Sequence, residues 1–199
     1  MSDQQIHLSF SIKEIFELIP SLANEVLKYS PLAGEISELY KGTTFTFGIH
    51  IDDETYHLII NDGKNFEAGY GDIENAMIRF KVGMKDLQEL IVVQNAYMFL
   101  GTSYALSASD RSRMSSMAEK LKGLNGTINV ALTNANQSVT NFSVCINNAA
   151  ASKVTIQLAI SDFVEMMNKT TNPINMFMAG RLKIEGDMAL ALQLQSLLF

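Results

Sequence analysis

The sequence predicts an α+β protein, and three observations carry that prediction. Within one chain of 199 residues the apolar period is 3.6 in some stretches and two in others. The stretches of period two are short and are separated by turn residues such as Asp52-Asp53-Glu54 and Asn61-Asp62-Gly63. The order of strand-like and helix-like stretches is also repeated once along the chain. A hydrophobic content of 47% supports a real core, and the length suits one large or two small domains.

Residues 1–41 read as a helical lead-in. Ser11-Ile12-Lys13-Glu14 fits a capping box, and Ile12, Ile15, Phe16 and Ile19 follow helical spacing. Pro20 is expected to end or kink that helix, because proline lacks the N–H and crowds the preceding turn. A second helix would carry Leu22, Val26 and Tyr29 on one face and close at Pro31. Residues 35–40 would form a third.

From Gly42 the period becomes two. Strands are expected over 43–51, 55–60, about 66–70 and 78–84, and Asp86-Leu87-Gln88-Glu89-Leu90 begins a helix. Residues 96–100 are apolar, Gly101 breaks that run, and 110–121 read as a helix with Met114, Met117 and Leu121 on one face. The pattern then starts again. Phe142, Val144 and Ile146 answer Tyr56, Leu58 and Ile60. Val154, Ile156, Leu158 and Ile160 answer Ile78, Phe80, Val82 and Met84. Asp162-Phe163-Val164-Glu165-Met166 answers the earlier Asp-Leu helix start, and Gly180 answers Gly101. The offset falls from 86 residues at the second strands to 76 at the later ones, so the second copy lacks about the segment 65–74. These correspondences predict a diverged internal duplication, with one unit over 42–121 and a second over 122–199.

The second unit ends in three elements. Asn172-Pro173 is a turn and helix-start signal. Leu182 and Ile184 alternate with Arg181, Lys183 and Glu185 as in a half-buried strand. Gly186-Asp187 breaks that strand and offers Asp187 as a helix cap. In the last piece Leu190, Leu192 and Leu194 alternate like a strand, while Leu190, Leu194, Leu197 and Leu198 share a helical face. Met, Ala, Leu and Gln are strong helix formers and no β-branched residue occurs over 188–198, so a helix is predicted. It is apolar well beyond one stripe, hence largely buried.

This ending resembles the C-terminal signature of the sterol carrier protein 2 (SCP2) domain family. That signature is an Asn-Pro, an apolar turn, Gly-Lys-Leu-Lys-Ile-x-Gly and an Asn-Met-x-Leu-Ala-Met-Lys-Leu-type helix. Residues Gly180-Arg181-Leu182-Lys183-Ile184-Glu185-Gly186 depart from it only by Arg for Lys. Asp187 stands where Asn is usual, and Leu192 and Gln193 stand for Met and Lys. The resemblance spans about residues 42–198 and is strong only after Lys153. It implies an antiparallel-rich sheet with helices covering one face, and an apolar tunnel that holds a fatty acid, acyl-CoA or sterol. By position it implies a ligand wall of Phe177, Met178, Ile184, Met188, Leu190, Ala191, Leu194 and Leu198. It implies no catalysis and no cofactor. Each unit is shorter than a usual domain of that family, so the two are expected to share one core.

Composition excludes some functions. A net charge of −6 argues against nucleic acid, whose phosphates need clustered Lys and Arg. No run reaches the roughly 18 uninterrupted apolar residues of a membrane span. The first residues lack the basic start and apolar core of a signal peptide, and the chain ends Leu197-Leu198-Phe199 rather than Ser-Lys-Leu. Cys145 is alone, so no internal disulfide forms, which fits a reducing cytosol.

Chemical motifs are scarce. His50 and His57 bracket Asp52-Asp53 in a hairpin, a set read here as a solvated turn because no His-Glu-x-x-His or Cys-x-x-Cys accompanies it. Cys145 lies in an apolar alternating run and reads as a buried or half-buried thiol. Gly69-Tyr70-Gly71 lacks the third glycine of a dinucleotide fingerprint. Met166, Met167, Met176, Met178 and Met188 read first as ordinary core and also suit a cavity that adapts to flexible chains. The leading reading is an intracellular lipid carrier. The alternative is a non-catalytic interaction or accessory module whose cavity has collapsed. Partners consistent with these readings are a lipid or acyl-CoA ligand, a transient membrane contact and a second copy of the chain.

Overall fold

The structure is a computed structural model that describes residues 11–29, 33–90, 119–147, 152–168 and 170–198. The elements run α1 (Ile12–Tyr29), α2 (Ala33–Leu39), β1 (Thr44–Ile51), β2 (Glu54–Asn61), β3 (Asn65–Tyr70), β4 (Ile78–Val82) and α3 (Met84–Gln88). They continue with β5 (Gly126–Thr133), β6 (Val139–Ile146), β7 (Lys153–Ala159), α4 (Ile160–Met167), α5 (Pro173–Met178), β8 (Leu182–Gly186) and α6 (Met188–Leu198). Residues 119–123 are also helical. The expected 96–100 run, the break at Gly101 and most of the 110–121 helix lie outside the described residues.

All eight strands form one sheet in the order β3-β2-β1-β4-β6-β5-β7-β8. Five of its seven pairings are antiparallel; β1–β4 and β5–β7 are parallel. The class is α+β, as expected, with an antiparallel-rich sheet of eight described strands. Within it, β2-β1-β4 and β6-β5-β7 have the same order and the same relative directions. Among the described residues the strand β3 has no counterpart beside β6; that place is taken by β4, through pairs such as Phe80 with Val144.

Strand alternation gives the sheet one apolar and one polar face. Ile49, Tyr56, Phe80, Val144, Ile128 and Val154 lie in register on the apolar face, and Val130, Ile156 and Ile184 form the adjacent row on the same face. The helices cover that face and share one core with it, through Ile12 and Phe16 of α1, Leu87 of α3, Met166 of α4, Met176 of α5 and Leu190 of α6. His50, His57, Lys81, Ser143, Asn129 and Thr155 belong to the other face.

The lead-in corrects one expectation. A single helix, α1, runs through Pro20 instead of ending there. The Ser11–Glu14 capping box forms: Ser11 N donates to Glu14 Oε2 at 2.7 Å, and Glu14 N donates to Ser11 Oγ at 3.2 Å. An interior proline costs roughly 3 kcal/mol, and tertiary contacts on both sides of it offset that cost. Phe16 stacks on Tyr56 at 4.5 Å between ring centroids. Asn24 Nδ2 donates to Phe66 O at 3.3 Å while its Oδ1 accepts from Phe66 N at 3.2 Å. The helix is thereby tied to the outermost strand, β3.

Candidate functional site

The site is built from the last five elements of the chain, β7 to α6. Pro173 starts α5, where its missing N–H costs nothing, and Asn172 caps the helix by accepting from Ile174 N at 2.8 Å. The helix ends at Gly180, whose φ of +70° suits a glycine. Arg181 then opens β8. Its guanidinium donates to Asp162 Oδ1, through Nε at 3.1 Å and through Nη2, and to Glu165 Oε2 at 2.7 Å. These hydrogen bonds, those to Asp162 foremost, push the guanidinium pKa above its ordinary value. Arg181 therefore pins the start of β8 to α4.

At the far end of β8 the chain turns at Gly186 into α6. Asp187 Oδ1 accepts from Ala189 N at 2.8 Å and Leu190 N at 3.0 Å, and Asp187 Oδ2 accepts from the Ser152 hydroxyl. The predicted cap is present, and residues 190–194 are helical rather than extended.

Between these elements lies an apolar cleft of about 290 Å³. Ile156 of β7 and Leu182 and Ile184 of β8 form its floor. Met166 of α4 and Pro173, Ile174 and Phe177 of α5 form one wall. Met188, Ala191, Leu192 and Leu194 of α6 form the other, and Gln195 is the polar lining residue. The cleft opens to solvent beside Ile174, Phe177, Met188 and Leu192, all of them exposed. Among the described residues, its lining offers a hydrocarbon surface and no nucleophile, base or charged group.

The structure brings five of the eight expected wall residues together: Phe177, Ile184, Met188, Ala191 and Leu194 line the cleft. Met178 does not; it is 79% exposed on the outside of α5. Leu190 does not either; it is buried core. Leu198 ends α6, and its side chain lies outside what is described. Sequence reasoning missed Ile156, Met166, Pro173, Ile174, Leu182, Leu192 and Gln195. Met166 had been singled out as an adaptable methionine, and Ile174 shares a helical face with Phe177.

A larger concavity, about 640 Å³, lies on the opposite polar face of the sheet. It is an open trough floored by Asn129, Asn141, Ser143 and Thr155, with His50 and Lys81 at one side. His57 Nδ1 lies in hydrogen-bond contact with Gly71 O at 2.9 Å and so helps to hold the β3–β4 loop, whereas the buried His50 Nε2 lies 3.2 Å from Asp72 Oδ1 without hydrogen-bond geometry. Among the described residues no group of three or more His, Cys, Asp or Glu is arranged to hold a metal. No described helix is long and apolar enough to cross a membrane.

A family profile described as the SCP-2 sterol transfer family matches residues 107–199. Human sterol carrier protein 2 is 44% identical over 55 residues, which is 28% of this chain; the match spans about 10% of that relative's length. Among solved structures, Sterol Carrier Protein 2 Like 2 from Aedes aegypti matches over 43% of this chain and 95% of its own, with 18% identity and a TM-score of 0.31. The sterol carrier protein domain 2 of Helicoverpa armigera matches over 51% of this chain and 82% of its own, with 23% identity and a TM-score of 0.35. The signature at 180–186, its fit to the cleft-forming strand and helix, and the profile match to the same region converge. Residues 107–199, a little under half of the chain, are similar to the SCP-2 sterol transfer family.

Proposed function

We propose that this protein binds and transfers a lipid, a fatty acid, acyl-CoA or sterol, by burying its hydrocarbon part in the cleft between β7–β8 and helices α5 and α6. The observation that carries this reading is the lining: of twelve described side chains, eleven are apolar and one is an uncharged amide. Burying each methylene there contributes about 0.8 kcal/mol, so affinity needs no charged anchor. The volume lies just below the roughly 300–1,000 Å³ usual for ligand pockets. It therefore suits one chain segment better than a fused-ring body. On this reading the role is non-catalytic and, given the single Cys145, suits a reducing compartment such as the cytosol.

Displacement of a fluorescent fatty acid from lipid-stripped, folded protein by unlabelled fatty acid or acyl-CoA tests the proposal. Saturable displacement supports it. Absence of saturable binding rejects it in favour of a second reading, an accessory module with a collapsed cavity, which the small volume of the cleft favours. We also infer that the two halves descend from one duplicated unit. The shared order and directions of β2-β1-β4 and β6-β5-β7 support this, as does the absence of a β3 equivalent where the sequence offset predicts a deletion.

A further inference from the structure

We propose that the mouth of the cleft is a docking surface for an electroneutral, zwitterionic lipid bilayer, with α5 and α6 lying at the headgroup boundary. This deepens the lipid-binding reading and rests on it for its purpose, though not for its test.

Ile174 and Met178 are one helical turn apart on α5, with Phe177 beside them. They are 50%, 79% and 42% exposed, and Met188 and Leu192 of α6 are 44% and 60% exposed. Four of these five also line the cleft, so the protruding surface and the cavity are continuous. Met178 is the one that faces away from the cavity altogether.

The charge pattern names the occupant. In a chain that is 18% charged, α5 and α6 carry no charged residue along their 6 and 11 positions. Among the described residues, the neighbouring charges are engaged or turned away. Arg181 is held by Asp162 and Glu165, and Asp187 by its own cap. Lys183 and Glu185 belong to the opposite face of the sheet. With a net charge of −6 and, among the described residues, no free cation at the mouth, nothing described favours capture by anionic lipid. Shallow burial of apolar side chains at an uncharged interface remains. A hydrocarbon chain leaving the cleft through this mouth would then enter the bilayer without crossing water.

The test is co-sedimentation of the full chain with small vesicles of phosphatidylcholine alone, and of phosphatidylcholine with phosphatidylserine. Met178→Asp is compared with Val139→Asp, which places the same charge at another exposed apolar residue, at the start of β6. Binding to phosphatidylcholine is expected, with at least a tenfold loss in Met178→Asp, less than a twofold change in Val139→Asp and no gain from phosphatidylserine. In parallel, Met178→Asp should leave fatty-acid displacement in solution unchanged. The proposal is overturned if phosphatidylcholine vesicles do not bind, if Met178→Asp binds as the wild type does, or if binding requires phosphatidylserine. A wild-type dimer that Met178→Asp dissociates, without vesicle binding, also overturns it and assigns the surface to a second copy of the chain. Vesicle binding that depends on Met178 in a protein that binds no fatty acid sustains the docking surface while rejecting the carrier reading.

Discussion

Leu190 of α6 occupies the space that a side chain at Gly126 would need: an ideal Cβ on Gly126 would stand 2.5 Å from Leu190 Cδ2. The first residue of β5 is thus bare so that the last helix can close on the sheet. Gly126→Ala should overpack this contact and cost about 1–3 kcal/mol, read as a lower denaturant midpoint at unchanged slope. Combining it with Leu190→Ala should recover part of the loss. Additive losses in the double variant would show that the two residues are not coupled.

Leu190 and Leu194 lie one turn apart on α6 yet should respond differently. Leu190 is 3% exposed and enclosed by core, so Leu190→Ala should cost about 2–5 kcal/mol. Leu194 is 9% exposed but lines the cleft. Leu194→Ala should therefore cost less than Leu190→Ala, because the removed methyl groups had fewer neighbours, and it should alter fatty-acid binding instead. Leu194→Trp should fill the cleft and abolish binding while the fold persists. Calorimetry and fluorescent fatty-acid titration on the same samples separate these outcomes.

The cap of α6 makes stability depend on pH. The Ser152 hydroxyl, then the Leu190 and Ala189 amides, hold the Asp187 carboxyl below its ordinary value. The ionised form is thus favoured by folding. Its contribution is fully present above the unfolded carboxyl value, about pH 3.9, and is lost as pH falls through the lowered folded value. Asp187→Ala should lower the denaturant midpoint at neutral pH, and the gap to wild type should shrink in strong acid. A gap that stays constant across that range would assign the effect to something other than the carboxylate.

Arg181 fastens β8 to α4 through two carboxylates, a geometry that a planar guanidinium serves better than an ammonium. Arg181→Ala should speed hydrogen exchange at the amides of β8 and loosen the floor of the cleft, with little change at the distant β1–β2 pair. Uniform acceleration across both pairs would mean a global rather than a local role.

Local chemistry was legible in the sequence, and long-range placement was not. The caps at Asn172 and Asp187 depend on neighbours within three residues, so the chain order alone announces them. Pro20 misled because its cost is local whereas the contacts that override it, Phe16 on Tyr56 and Asn24 on Phe66, come from residues about 40 positions away. Periodicity marked both Leu190 and Leu194 as apolar and inward. It carries no information on whether the neighbour is a packed atom or a void, and Gly126, which decides the matter for Leu190, sits 64 residues earlier. The cleft residues Ile156 and Met166 come from elements outside the signature, so a wall inferred from the signature alone could not include them.

The junction between β4 and β6 has a consequence for any attempt to isolate the family-like part. In the whole chain both sides of β6 are paired, to β4 and to β5. A fragment beginning near residue 107 retains β5 to β8 but loses β4. It would leave the eight residues from Val139 to Ile146 as a raw edge with its backbone donors and acceptors open. Such an edge is a template for another chain. The excised fragment should therefore associate through β6 and tend to aggregate, and its behaviour in solution would reflect the missing strand rather than the lipid cleft.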